Sequence, residues 1–262
     1  MRYDKFHRRT ERLQNTVAAE KSRADAAQRD LSRITEIMNS TMHEVRSLTA
    51  QLTSQAADLL KRLSGTEMES QTATVLHTSE MVTARLAYAD LQLNPGAVTL
   101  QTKVPTGLYK KFEKSRHVLG HAARAKGVNI DFRGKSFGTF DVLQAFELIP
   151  FIILNNAIKY SPPNGAIEVI FSESGQEIRA KVQSIGPILL PEERNKLFEQ
   201  HFRGSNAQKM PLYGAGLGLY IARNIAKLHS GVSITAQGGS VGKFVFNGIP
   251  YADFRVDICV KR

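Results

Sequence analysis

The sequence predicts two architectures in succession: an all-α helical hairpin over residues 34–94, suited to pairing with a second copy as a dimeric four-helix bundle, and an α/β sandwich over residues 95–262. Three observations carry this reading. Residues 1–94 contain no proline and one glycine, Gly65, so nothing else in them breaks a helix. Their apolar residues recur in steps of three and four. After "LNPGA" (Leu93 to Ala97) the period changes to the alternation of half-buried strands, interleaved with helical stretches.

Within the first region, residues 1–33 are polar, with Leu13 and Val17 among few apolar points, and read as a coiled-coil or signalling lead-in helix. From Ile34 a heptad track runs through Met38, Thr41, Val45, Leu48, Leu52, Leu59 and Leu63, with a stutter near Ala56. "LSGTE" makes the turn. The spacing resumes with Val75, Val82 and Ala89 on one track and Leu86 and Leu93 on the other. A lone hairpin buries such stripes poorly. A homodimer related by a two-fold axis is the expected solution.

In the second region "VTLQT" and "VNIDF" read as strands flanking the helical "GLYKKFEKSRHVLGHAARAKG". A long helix ending at "IKYSPPNG" follows, then strands "AIEVIFSES" and "EIRAKVQS" and the helical "PEERNKLFEQHF". A glycine-rich helix start, "GAGLGLYIARNIAKLHSG", precedes the closing strands "VSITAQ", "KFVFNG" and "RVDICVK". One sheet with helices on one face accounts for this order.

Composition narrows the function. With 42% hydrophobic residues the chain can bury a sizeable core, and no run approaches the roughly 18 apolar residues of a membrane span. The N-terminus lacks signal-peptide character and Cys259 is the only cysteine, which excludes an internal disulfide framework and multi-cysteine metal sites. A cytoplasmic protein is expected. The net charge of +11 is spread along the chain among acids, without a compact basic run, so no nucleic-acid partner is expected. An acidic protein partner or an anionic small ligand fits the charge equally well.

Two stretches carry chemistry. In "IILNNAIKYSPPNG" (Ile152 to Gly165) two amides and a lysine sit in an apolar helix just before its stop signal. Helix termination alone is one explanation. In "GAGLGL", Gly214, Gly216 and Gly218 directly precede an amphipathic helix, an arrangement that brings backbone N–H groups to an anion. The dinucleotide-binding alternative fails, since no βαβ unit with a downstream acid surrounds the loop, and the Walker lysine is missing.

The ordered set "NNAIKYSPPNGAI", "GPILLPEE", "LFEQHFRG" and "GAGLGLYIARNIAKLHSG" resembles the ATP-binding domain of two-component sensor histidine kinases, the GHKL fold shared with gyrase, mismatch-repair ATPases and a heat-shock chaperone family. The resemblance spans about residues 95–262. It implies ATP and Mg²⁺ as cofactors, with Asn156 as metal ligand, Asn155 beside it, Lys159 on phosphate and Tyr160 bordering the nucleotide. It implies that Gly214, Gly216, Leu217 and Gly218 form the phosphate loop and that Phe198 and Phe202 clamp the lid, Gly204 to Tyr213, over the nucleotide; Arg203 beside them could reach phosphate or simply sit at the surface. It also points back to "MNSTMHEVRSLTAQL": His43 would be the phospho-accepting histidine, Glu44 its general base, and Ser47 a water-positioning hydroxyl. His43 falls five positions after Met38, on the outer face of the heptad frame. The partner so implied is a response-regulator receiver domain, whose aspartate takes the phosphoryl group.

Three departures stand out. Two residues before Gly186, where the family carries an aspartate for the adenine amino group, this chain has Ser184, and Ile188 stands where a second glycine is usual. Ile152 replaces a frequent asparagine four residues before Asn156, and Asn155 is the amide that could compensate. Ser47-Leu48 replaces a threonine-proline pair. These departures keep a second reading open, a catalytically weak or non-kinase phosphotransfer scaffold with a degenerate ATP domain. A chaperone- or gyrase-like ATPase is a third, disfavoured because Glu147 lies nine residues before Asn156, about two and a half helical turns away.

Overall fold

The computed structural model describes residues 2–93, 96, 102–212, 214–239 and 241–261, with side chains from Asn15 onward. The chain divides into two units, Met1–Leu48 and Thr49–Arg262. The first contains only the leading part of helix α1 (Arg2–Arg62), which continues as one 61-residue helix into the second. Ile34 (61% exposed), Ile37, Met38 and Leu48 all present apolar surface along it.

In the second unit α1 turns at Gly65, whose φ of 79° suits a residue without a Cβ, and returns as α2 (Glu69–Leu93). The Glu69 carboxylate accepts the Gly65 N–H at 2.6 Å and closes the turn. Small and polar groups make the contact between the two helices: Ala56, Thr72 and Ser79 are buried, and Thr53 Oγ1 donates to Ser79 Oγ at 3.0 Å. The large apolar residues of the predicted tracks, Leu52 (48% exposed), Leu59, Val75 and Val82, point away from that contact. The stutter at Ala56 is thus where the helix turns a small residue inward.

The strand expected over "VTLQT", save Thr102, which is not in a strand, and most of the "NPGA" breaker lie outside the described residues. Beyond them run β1 (Val104–Gly107), α3 (Leu108–Ala125), β2 (Asn129–Arg133), β3 (Thr139–Val142), a 3-10 turn (Gln144–Glu147) and α4 (Leu148–Tyr160). Next come β4 (Ala166–Ser174), β5 (Glu177–Pro187), a 3-10 turn (Pro191–Lys196) and the short α5 (Ser205–Gln208). The chain closes with α6 (Gly218–Lys227), β6 (Val232–Gly238), β7 (Phe244–Phe246) and β8 (Ile249–Lys261). The main sheet has the order β2-β4-β5-β8-β6, with β7 also on β8; β2 and β4 are parallel and the remaining pairs antiparallel. A separate pair, β1-β3, was not predicted. Its strands are four residues each, too short to show a period.

Alternation assigns the sheet one dry face. Ile167, Val169 and Phe171 of β4, Ile178, Ala180 and Val182 of β5, and Val256, Ile258 and Val260 of β8 are buried with Phe112, Ile153, Leu154 and Ile225 of α3, α4 and α6. Glu168, Arg179, Lys181, Gln183 and Asp257 alternate onto the wetter face. Helix α4 is apolar on nearly every side because the sheet, α3 and α6 surround it.

Helix α2 joins this core through Ala84, Tyr88 and Leu91. An ion-pair chain borders the contact. Lys114 on α3 bridges Glu80 of α2 at 2.6 Å and Glu147 at 2.5 Å, and Lys111 pairs with Glu147 at 2.5 Å. Burial raises the Glu80 carboxyl, but hydrogen bonds and charge from His77 and Lys114 prevail and hold it at about 2.

Candidate functional site

The sheet floor comes first. On β5 the inward row runs Ile178, Ala180, Val182, Ser184, Gly186, and the last three open onto a cleft of about 430 Å³. Opposite them in register are Val256, Phe254 and Ala252 of β8, the first two also lining it. At Gly186 a Cβ would meet the Cβ atoms of Phe254 at 3.8 Å and Tyr160 at 4.0 Å, so the glycine leaves the floor flat.

Helix α4 is the wall. Asn155, Asn156, Lys159 and Tyr160, one turn apart in pairs, all line the cleft. The helix ends there because Pro162 and Pro163 follow, and Lys126 holds its last carbonyls, donating to Ile158 O at 2.9 Å and Lys159 O at 2.7 Å.

The glycine loop closes the remaining side, and its glycines answer to close approaches. A Cβ at Gly214 would collide with Lys159 Nζ, and one at Gly218 would stand 3.0 Å from the Asn156 amide. Gly216 has φ 69°, and a Cβ there would lie 2.6 Å from the His201 carbonyl carbon. His201 itself adopts φ 63°, and its Nδ1 lies 3.0 Å from Ala215 O, which ties the loop to the "LFEQHFRG" segment. Helix α6 begins at Gly218 with no side-chain cap, leaving its first backbone N–H groups for a ligand.

That segment brings Phe202, Arg203 and Gly204 to the cleft. Arg203 donates to Ala207 O at 2.8 Å, while its buried Nε has no hydrogen-bond partner. Glu193 anchors the next stretch: it accepts the Leu190 N–H at 2.9 Å, the Ser205 N–H at 2.7 Å and the Ser205 hydroxyl. Burial raises the Glu193 carboxyl, and these hydrogen bonds more than reverse that. "PEERNKLFEQHF" is a 3-10 stretch over Pro191–Lys196 followed by turns rather than a full helix, and the short α5 after it was not anticipated. The far end of the expected lid, Tyr213, lies outside the described residues.

The expected cofactor residues therefore converge on one cleft, except Phe198. It packs against the core under the Arg223 guanidinium, 4.3 Å from its ring centre, and does not line the cleft. His43, Glu44 and Ser47 belong to the first unit, each exposed on α1. Of the charged lining residues one was missed, Arg85 of α2, which no local motif marks, since only the docking of α2 brings it there; the apolar floor residues Phe254 and Val256 of β8 were not anticipated either.

Electrostatically the cleft is one-sided. Arg85, Lys159 and Arg203 line it, and among the described lining residues there is no aspartate or glutamate. Burial lowers the Lys159 ammonium, and the Arg203 charge lowers it further. A polyanion would relieve both. Mg²⁺ fits on one condition. Asn155 and Asn156 offer only neutral amide oxygens, so most ligands must be phosphate oxygens and water. No cluster of three His, Cys, Asp or Glu able to hold a metal exists among the described residues.

A cationic cleft at a glycine loop and helix N-terminus, floored by a flat apolar sheet, defines a nucleotide-binding domain of ATPase type. Residues 144–252 match the family described as histidine kinase-, DNA gyrase B-, and HSP90-like ATPase, and the similar curated proteins include sensor histidine kinases. It is 28% identical over 134 residues to the sensor-like histidine kinase SenX3 of Mycobacterium tuberculosis, covering 50% of this chain and 33% of that one. It is 36% identical over 91 residues to the histidine-protein kinase/phosphatase MprB of Mycolicibacterium paratuberculosis, covering 33% and 17%. The chain thus spans about a third or less of these curated relatives. In fold it is similar to full-length ShkA in complex with AMPPNP, with a TM-score of 0.51 at 19% identity over 87% of this chain and 46% of that one. No helix among the described residues is long and apolar enough to cross a membrane.

Proposed function

We propose that this chain is an ATP-dependent protein-histidine kinase acting on itself and then on a response-regulator receiver domain. The observation that carries the reading is the convergence of Asn156, Lys159, Arg203 and the Gly214–Gly218 loop on one cleft without a carboxylate. In this reading the loop and the start of α6 bind the phosphates, Lys159 and Arg203 neutralise charge, and Asn156 completes a Mg²⁺ shell held mainly by triphosphate.

A ring nitrogen of His43 attacks the γ-phosphorus, the bond to the β–γ bridging oxygen breaks, and ADP leaves. Glu44 takes the imidazole proton. A carboxylate of the receiver then displaces the histidine from phosphorus. Exposure of His43, Glu44 and Ser47 supports this, since the acceptor must meet two partners in turn. The outward apolar residues Ile34, Met38, Leu52 and Leu59 support a homodimer through the hairpin, because water-exposed surface of that extent is costly for a monomer. We place the protein in the cytoplasm, where ATP and receiver domains are available.

The test is incubation with γ-labelled ATP and Mg²⁺. Label that is lost in acid, kept in base and abolished by His43→Gln supports the kinase. Persistent or acid-stable label on His43→Gln would show that another residue accepts phosphate. Glu44→Gln should slow labelling by roughly 10²–10⁴-fold without abolishing it. The neutral amides and Ser184 favour one second reading, a nucleotide-binding scaffold of low turnover; nucleotide binding without any label would favour it.

A further inference from the structure

The nucleobase end of the cleft carries an unusual choice of polar group. On β5 the inward row is apolar through Ile178, Ala180 and Val182, then places Ser184, a residue 8% exposed, where the row enters the cleft. Around it the floor consists of Val182, Gly186, Pro187, Phe254 and Val256. Ser184 is the one floor side chain able to hydrogen-bond. The cations and the glycine loop occupy the other walls, so a nucleotide whose phosphates meet Lys159 and Arg203 lays its base on this floor.

We infer that the site accepts purine nucleoside triphosphates of both kinds, GTP as well as ATP, and that Ser184 sets this tolerance. The inference rests on the nucleotide-binding reading above and specifies its substrate. The reason is hydrogen-bond inventory. A carboxylate at the floor only accepts: it suits the exocyclic amine of adenine and repels the O6 carbonyl of guanine. A hydroxyl rotates. It accepts from the adenine amine and donates to guanine O6 with equal ease. With no aspartate or glutamate among the described lining residues, no fixed negative charge rejects O6. Discrimination of several decades arises where a rigid buried group is left unpaired by the wrong ligand, and a hydroxyl that satisfies either base leaves nothing unpaired. Gly186 adds room, since no side chain rises from the floor beside Ser184.

The experiment is titration of the full chain with ATP and with GTP, each with Mg²⁺, followed by calorimetry. The expected result is dissociation constants within about tenfold of each other. Ser184→Asp should weaken GTP by at least about tenfold while keeping ATP, and Ser184→Ala, which adds no charge, should weaken both alike by about fivefold. ATP binding with GTP more than about 100-fold weaker overturns the tolerance and leaves the ATP site standing. An unchanged ratio in Ser184→Asp, with both nucleotides still bound, overturns the role of Ser184. Failure of both nucleotides to bind the parent protein overturns the nucleotide-binding reading itself and this inference with it.

Discussion

The Lys126 ammonium donates to the backbone carbonyl of Lys159 at 2.7 Å, so one lysine holds the end of the helix that presents another to the cleft. Its second bond, to Ile158 O, leaves neither terminal carbonyl bare in a half-buried place. Lys126→Met should cost about 1–3 kcal/mol of stability by stranding these carbonyls. It should also weaken nucleotide binding at temperatures where the variant is fully folded. Lys126→Arg, which still donates, should recover most of the binding. Denaturant unfolding and nucleotide titration on the same samples separate the two effects.

Gly216 is held where a side chain cannot follow. Alanine there must adopt φ 69° and place its Cβ 2.6 Å from the His201 carbonyl carbon and 2.7 Å from Phe202 O. We expect Gly216→Ala to cost about 1–3 kcal/mol locally and to lower nucleotide affinity at least tenfold. Lys159→Ala should lower affinity by charge alone, so its loss should shrink in high salt while that of Gly216→Ala persists.

Arg85 tests whether the docked position of α2 completes the cleft. Arg85→Gln should weaken triphosphate binding several-fold and monophosphate binding less, since the side chain adds positive charge to the wall. Equal weakening of both would place the effect elsewhere.

Glu80 links pH to the attachment of α2. Its folded value of about 2 lies below the ordinary 4.5, so its contribution is complete above pH 4.5 and is lost as pH falls from there through about 2. Glu80→Gln should therefore destabilise the protein at about pH 7 and about pH 5 alike, with the difference from the parent shrinking by about pH 3.5. Urea unfolding at the three values checks the trend.

The apolar tracks of the hairpin predict the oligomeric state. Light scattering at micromolar concentration should give the mass of a dimer, and Leu52→Asp with Leu59→Asp should shift it to monomer, because each places a charge on a face now apolar. A parent protein that is monomeric at that concentration contradicts the bundle.

By itself the sequence determined the helical hairpin, the strands of the sheet and the two stretches that carry the cleft's polar and glycine residues. Those features reside in local signals: a three-four period, alternation in "AIEVIFSES" and "EIRAKVQS", and glycines placed before a helix. Proximity of motifs far apart in the chain, such as Asn156 and Gly218, was legible only through the family resemblance, since spacing alone does not bring them together. Tertiary structure decided the rest. Small residues at Ala56 and Ser79, rather than the heptad leucines, face one another within the hairpin, because helix rotation is set by packing as well as by period. Phe198 turned to the core and Arg223 while Phe202 turned to the cleft, although both are phenylalanines of one short segment. Arg85 reached the cleft because Ala84, Tyr88 and Leu91 bury α2 against the sheet domain, a long-range contact with no sequence period of its own. The physical reason is common to all three: patterns specify which face of an element is apolar, and only the packed whole specifies what that face meets.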